Sequence, residues 1–253
     1  MAAGMQLVTP GLVLREVKIG EADRILTVLT PELGVISVSA KGSLRLKSKL
    51  FSATGLFCYS EFELFEGKSM FVVDNASVKE LFWGIHQSVE GMALGMYFSE
   101  FVSTLSPVGA ECAAIFKLFL NTLYFLSKNM RPPLLMKAVF ELRALSLTGF
   151  LPALTACSGC VKYEGGPFFF DVSSGLLYCA DCARERGLSP NLDAAALRAM
   201  RHIMLCDTAD VFRFQLAEES TRHLAAVSKS YVLQCLDKPF KTEDFLNTIL
   251  GTV

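Results

Sequence analysis

A chain of 253 residues, 52% of them apolar and twenty of them phenylalanine, is long enough to bury a sizeable core as one large domain or two smaller ones. Its formal net charge of −1 and isoelectric point of about 6.3 exclude a global positive field that would draw it to nucleic acid or to an anionic membrane, so any such role must come from a local patch. Mean hydropathy is high at +0.41, yet the longest uncharged window, Ala144 to Val161, is broken by Gly149, Pro152, Ser158 and Gly159 and is no transmembrane helix.

Met1 to Leu14 lacks the basic and apolar regions of a signal peptide, and the expected location is cytoplasmic. Residues 5 to 78 read as strands. Leu12-Val13-Leu14 and Val17 to Ile19 flank charged residues, and Arg24 to Leu29 alternates loosely. Thr30-Pro31-Glu32-Leu33-Gly34 is turn chemistry, after which Val35 to Ser39 alternates apolar and small polar side chains. In Phe57 to Phe65, Phe57, Tyr59, Glu61 and Glu63 fall on one face and Cys58, Phe62 and Leu64 on the other. Glu66-Gly67-Lys68 then turns the chain into Met70 to Val73. About five short strands without a long helix between them suggest a small barrel, with an OB-fold as the candidate.

Between the third and fourth strands, Lys41-Gly42-Ser43-Leu44-Arg45-Leu46-Lys47-Ser48-Lys49 carries four positive charges, and no acid occurs between Glu32 and Glu61. In an extended segment Lys41, Arg45, Lys47 and Lys49 share parity and would track successive phosphates. The competing reading is a solvated loop charged for solubility.

From about Lys79 the period changes to near 3.6, with Phe82, Ile85, Val89, Met92 and Met96 spaced as one helical face ending before Pro107. Glu111 to Leu126 is apolar nearly all round, as a central bundle helix would be. Leu134 to Leu147 is a third helix, with Lys137 and Glu141 as an i,i+4 pair on its exposed side. Ala194 to Leu205 and Glu218 to Leu236 are two more, and Pro239 to Val253 holds one short last helix. The expected organisation is an N-terminal nucleic-acid-binding domain over 1–79 and a helical domain over 80–253, an α+β multidomain chain with a cysteine module inserted at 157–182.

That module is Cys157-Ser158-Gly159-Cys160, eighteen residues, then Cys179-Ala180-Asp181-Cys182. Phe168 to Val172 and Leu176 to Tyr178 flank Ser173-Ser174-Gly175, a hairpin that brings the two pairs together. Four thiolates at one point suit structural Zn2+ and leave no open position for a substrate. A redox pair, two disulfides or an iron–sulfur cluster are the alternatives. Lys162, Arg184 and Arg186 lie close enough in sequence to offset the site's negative charge. Cys58, Cys112, Cys206 and Cys235 are isolated among apolar neighbours and read as core or partly buried residues. No phosphate-binding glycine loop, nucleophile elbow or metalloprotease motif occurs, and His86, His202 and His223 are scattered and receive no role.

In combination these residues resemble the RecO family of bacterial recombination mediators. The likeness is carried by Gly20-Glu21-Ala22-Asp23-Arg24, Leu29 to Gly34, Ala40-Lys41-Gly42 and Lys47-Ser48, then by Leu145 to Gly149, Pro152 and Cys157-x-x-Cys160, and by Phe168 to Phe170, Gly175 and Cys179-x-x-Cys182. It covers about residues 8 to 187. The resemblance implies an N-terminal OB-fold, a helical domain and a zinc module held by Cys157, Cys160, Cys179 and Cys182. It further implies binding of single- and double-stranded DNA, annealing of complementary strands, and action with RecR and the single-stranded DNA-binding protein in loading recombinase, in the RecF pathway and at the nucleoid. No catalytic residue is implied. Lys41, Arg45, Lys47 and Lys49 would screen phosphate repulsion, with Arg15, Lys18 and Arg24 as weaker candidates on the same domain. One departure is Ser43-Leu44-Arg45-Leu46, where family members often have a denser arginine run. A second reading, from another class, is a zinc-stabilised protein-interaction module that docks a partner's tail and has little DNA affinity of its own.

Overall fold

The structure is a computed structural model and describes residues 6–251. Three strands, β1 (Gln6–Ile19), β2 (Asp23–Thr30) and β3 (Gly34–Ala40), run as an antiparallel meander. A one-turn helix, α1 (Leu50–Ala53), leads to β4 (Cys58–Glu66), which is antiparallel to both β1 and β5 (Phe71–Leu81). Two parallel pairs, Val38 with Phe71 and Ser39 with Val72, bring β5 against β3 and close the barrel in the OB-like order β1-β2-β3-β5-β4. Within β4 the alternation falls as its pattern predicts: Cys58, Ser60, Phe62 and Leu64 point in, and Tyr59, Glu61 and Glu63 are partly exposed, whereas Phe57, expected on the outer face, precedes the strand with φ +59° and is buried. With Val13, Leu26, Val28, Ile36 and Val38 the inward residues fill the interior. Gly11 lies so close to that core that a Cβ there would come within 2.6 Å of Val28 Cγ1 and 2.9 Å of the Phe62 ring, so only glycine fits.

Two expectations differ here. The runs around Leu12 and Val17 are one continuous strand, kinked by a register shift between Val13 and Arg15 that lets its second half continue along β2. At the other end, β5 continues to Leu81, through residues where a helical period begins in the sequence. Its pairing with β4, Cys58 to Leu81, overrides the local pattern.

A 3-10 turn over Trp83–Gln87 precedes α2 (Val89–Leu105), whose first turn is capped by Ser88 Oγ accepting the Gly91 N–H at 2.8 Å. The buried face of α2 is Leu94, Tyr97, Phe98, Phe101 and Val102, whereas Val89 and Met96, expected on the buried stripe, face solvent. Helix α3 (Ala113–Ser127) packs on α2. From the far end of the chain α8 (Glu243–Leu250) also packs on α2, where Thr242 donates its N–H and hydroxyl to Glu100 Oε2 at 2.9 and 2.8 Å. Residues up to Lys128 and those from Thr242 onward form one compact unit, and Asn129–Lys241 form the other. The strand-to-helix change near residue 80 and this division by packing therefore fall at different places in the chain.

The second unit is built on α4 (Pro133–Leu147), α6 (Ala194–Leu205) and α7 (Glu218–Leu236), with a hairpin of β6 (Phe168–Asp171) and β7 (Leu176–Cys179) followed by α5 (Ala180–Glu185). The two longer C-terminal helices begin and end where the sequence places them. Asp193 starts α6 by accepting the Ala195 and Ala196 N–H groups at 2.8 and 2.9 Å, and its other oxygen meets His223 Nδ1 of α7 at 2.8 Å. Arg143 Nη1 and Ser146 Oγ both donate to the Met204 carbonyl, at 2.8 and 2.7 Å, and so tie the last turn of α6 to α4. No helix among the described residues is long and apolar enough to cross a membrane.

Helix α4 corrects the sequence reading most sharply. Every residue from Leu135 to Leu145 is buried, so Lys137 and Glu141 do not lie on an exposed side. Lys137 Nζ instead donates to Glu141 Oε1 inside the unit, and Ser228 Oγ of α7 donates to Glu141 Oε2 at 2.6 Å. An i,i+4 ion pair looks the same in sequence whether its helix is peripheral or central. Removing one member of a buried pair leaves a desolvated charge behind. Lys137→Met is expected to lower stability by about 3 to 5 kcal/mol, and the double change Lys137→Met/Glu141→Leu to recover most of it. Urea unfolding at matched slope measures both, and a single variant as stable as the wild type would show the pair to be dispensable.

Candidate functional site

Two clusters are brought together by the fold, one in each unit. In the barrel unit, residues 41–49 are a series of overlapping turns rather than an extended segment. Arg45 N–H bonds to the Gly42 carbonyl at 3.2 Å, Ser48 N–H to the Arg45 carbonyl at 2.8 Å, and Phe51 N–H to the Ser48 carbonyl at 3.1 Å. Lys41, Arg45, Lys47 and Lys49 therefore lack the alternation of an extended segment that would point them all one way. All four are nonetheless exposed, as are Arg15 and Lys18 on β1.

Arg24 is not part of this surface. Only 6% exposed, its guanidinium pairs with Glu16 at 3.0 Å and donates from Nη1 to the Phe51 carbonyl at 3.0 Å and to Thr54 Oγ1 at 2.8 Å. It also lies over the Phe51 ring, 5.3 Å from its centre. Its guanidinium holds the segment through these partners, so Arg24, expected as a weaker candidate beside Arg15 and Lys18, does not present an exposed cation as they do. At the other end of the segment, Asp23 Oδ1 accepts the Gly42 N–H at 2.7 Å and the Ala22 carbonyl accepts the Leu44 N–H at 2.9 Å.

In the second unit the four cysteine sulfurs converge, all within 4.8 Å of one another. Cys157 and Cys160 sit on a tight turn closed by Val161 N–H to the Cys157 carbonyl at 2.8 Å and Cys157 N–H to the Lys162 carbonyl at 2.9 Å. Cys179 ends β7, and Cys182 lies in α5. The Ser158 N–H reaches the Leu177 carbonyl at 2.7 Å and fixes the turn against the hairpin. The sulfurs of Cys160 and Cys179 are 3.6 Å apart, close to the roughly 3.8 Å that separates thiolates about 2.3 Å from a tetrahedral Zn2+. Gly159 has no room for a side chain, because a Cβ would stand 2.9 Å from Cys182 Sγ.

The thiols act on one another. Burial pushes Cys157 up, but N–H groups of Cys179, Gly159 and Cys160 directed at its sulfur outweigh this and bring it down to about 6. Hydrogen bonding to Cys160, together with burial, pushes Cys182 up to about 12. Four thiolates this close repel, and a cation among them would remove the conflict. Cys157, Cys179 and Cys182 are buried and Cys160 is exposed, so low pKa and access fall on different residues. Arg186, expected to offset the charge of the site, donates Nη1 to the Cys182 carbonyl at 2.9 Å and covers the Tyr178 ring at 4.5 Å. Arg184 is turned to Asp181 at 3.6 Å.

Sequence reasoning missed Arg201, a buried residue of α6. Its Nε donates to the Leu154 carbonyl at 2.7 Å and its Nη2 to the carbonyls of Thr155 and Tyr163 at 3.1 and 3.0 Å, gripping the chain on both sides of the first cysteine pair. Nothing near it in sequence signals this, since its partners are main-chain atoms some forty residues away. The isolated cysteines are as expected, Cys58 and Cys112 buried and Cys206 and Cys235 partly so.

Two family models match the chain, "Recombination protein O N terminal" over residues 5–82 and "Recombination protein O C terminal" over residues 86–244. The chain is 34% identical over 243 residues to the DNA repair protein RecO of Acetivibrio thermocellus, covering 96% of this chain and 97% of that one. It is 32% identical over 242 residues to the protein of the same name from Dehalococcoides mccartyi, covering 95% of each. To that of Alkaliphilus metalliredigens it is 28% identical over 234 residues, covering 92% of this chain and 95% of the relative.

The cysteine turn contains one strained residue. Val161 has φ +63°, a left-handed backbone that crowds a β-branched side chain, and it is 79% exposed, so packing does not offset the strain. Relieving it is worth about 1 to 2 kcal/mol, and the freedom glycine gains in the unfolded chain takes back up to about 1 kcal/mol. Val161→Gly is therefore expected to raise stability, read from the urea midpoint at matched slope, by about 1 kcal/mol or slightly less. An unchanged or lower midpoint would show that the turn is not under strain.

Proposed function

Because the chain belongs to the RecO family of DNA repair proteins, we propose that it is a non-enzymatic DNA-binding recombination mediator that works in the cytoplasm at the nucleoid. In this reading the barrel, over about residues 1–79, is an OB-fold nucleic-acid-binding domain. It binds single- and double-stranded DNA, anneals complementary strands, and acts with RecR and the single-stranded DNA-binding protein to help load recombinase on coated DNA. The observation that carries it is the turn-rich segment on the barrel, which exposes Lys41, Arg45, Lys47 and Lys49 in a stretch with no acid between Glu32 and Glu61, while Asp23 beside it accepts the Gly42 N–H. Annealing demands only that phosphate repulsion be screened while bases remain free to pair. Arg15 and Lys18, exposed on β1, would add weaker contacts, and Arg24 holds the segment in place.

Cys157, Cys160, Cys179 and Cys182 would hold one Zn2+. Their soft sulfur donors and mutual spacing suit that ion, and four protein thiolates fill its tetrahedral shell. The ion would close the loop and supply no reactive position. Its binding energy would then be local folding energy, on the order of 10 kcal/mol in isolated zinc modules and less where a helical framework already stands.

A second reading, a protein-interaction module that docks a partner's tail, is favoured by a groove of about 430 Å³ lined by Phe169, Phe170, Val172, His223, Ala226 and Val227. Two experiments test these assignments. Neutralising about four phosphates should give single-strand binding a log–log salt slope near −3, and replacing Lys41, Arg45, Lys47 and Lys49 together by Ala should flatten it. An unchanged slope would move the DNA site elsewhere, and no binding at all would favour the docking module. Chelation should speed hydrogen exchange in β6, β7 and α5 and leave the barrel strands protected. Uniform loss of protection would mean the metal supports the whole chain.

A further inference from the structure

The basic segment carries a side chain that its charges do not need. Leu46 is 91% exposed, more than any other large apolar side chain among the described residues, and it stands between exposed Arg45 and Lys47 with exposed Lys41 and Lys49 to either side. A loop charged for solubility gains nothing from an apolar residue at that point, and a phosphate-binding loop needs only its cations. Nor is Leu46 displayed on a loose tether. The segment is pinned at Gly42 and Leu44 by Asp23 and Ala22, and at Phe51 and Thr54 by the buried Arg24 guanidinium. The Phe51 ring, 42% exposed, lies at the foot of the segment under Arg24.

An exposed apolar side chain flanked along the chain by exposed cations, in a segment pinned to the barrel, complements a polymer whose charge lies outside and whose flat apolar faces lie inside. Single-stranded nucleic acid has that character. Its phosphates meet the cations and its unpaired bases can open to admit a side chain. A duplex offers the same phosphates but must first be unstacked. We propose that Leu46 is a base-contacting prong that enters between the bases of a single strand, so that this segment distinguishes unpaired from paired DNA as well as holding phosphate. The proposal rests on the reading of the barrel as a DNA-binding domain.

The test is Leu46→Gln, which keeps the size and removes the apolar character, with Leu46→Phe as the conservative rescue. An exposed residue of this kind can be changed without disturbing the core, and an unchanged melting curve verifies that. Each protein is titrated into a labelled single-stranded oligonucleotide and into the duplex of equal length, and the single strand also carries 2-aminopurine, whose fluorescence rises when its stacking is broken. Leu46→Gln is expected to weaken single-strand binding about tenfold, the effect of one lost base contact. Duplex binding should stay within about twofold, with an unaltered salt slope and no rise in 2-aminopurine signal, and Leu46→Phe should restore both the affinity and the signal. If the wild type binds single strands and Leu46→Gln matches it in affinity and in the ratio of single strand to duplex, the prong is overturned and a protein partner becomes its better occupant. If the wild type binds neither DNA, the DNA-binding reading itself fails and takes the prong with it.

Discussion

A guanidinium cannot be buried without partners, because taking an unpaired charge out of water costs several kcal/mol. Arg24 lies inside the barrel unit, and its position on β2 obliges the chain between β3 and β4 to fold back and supply the Phe51 carbonyl and the Thr54 hydroxyl. Glu16 on β1 balances the charge. The exposed cations, the short helix α1 and the entry into β4 all lie on the stretch that this one side chain draws in. A residue that looks from sequence like another phosphate contact is thus the reason the true surface residues have a fixed support.

The second unit follows the same logic with main-chain atoms as the satisfied groups. Arg201 reaches three carbonyls on either side of the first cysteine pair, and Arg143 reaches the last turn of α6. Hydrogen bonds from charged donors are stronger than neutral ones and have fixed direction. They let a loop with little apolar content of its own, residues 155–166, be held to a helix with enough precision for four sulfurs to meet.

Much of this was readable from residue order. Alternation in β4, the turn after β2, the cysteine spacing and the limits of α6 and α7 are local patterns, and local patterns survive folding. What escaped is everything decided by a neighbour distant in sequence. Lys137 and Glu141 have the spacing of a solvent-facing pair, and only the packing of α6 and α7 onto α4 buries them. Val89 and Met96 have helical spacing, but the partners of α2 lie against a different stripe. The extension of β5 through Lys79 to Leu81 depends on β4, and the turns of residues 41–49 on Asp23 and Arg24. The cysteine quartet was legible because its chemistry needs a particular spacing, whereas Arg201 was not, because any residue exposes a carbonyl.

The return of α8 to α2 gives the first unit a discontinuous chain, with more than a hundred intervening residues in the other unit. On a ribosome adding about 5 to 20 residues each second, the barrel strands emerge early, yet the apolar side of α2 would wait on the order of 5 to 20 s for its last partner. During that interval Glu100 has not yet received the donors of Thr242. Completion of the earliest-made unit is thereby postponed until the later one has left the ribosome, so the order of synthesis and the order of maturation run in opposite directions.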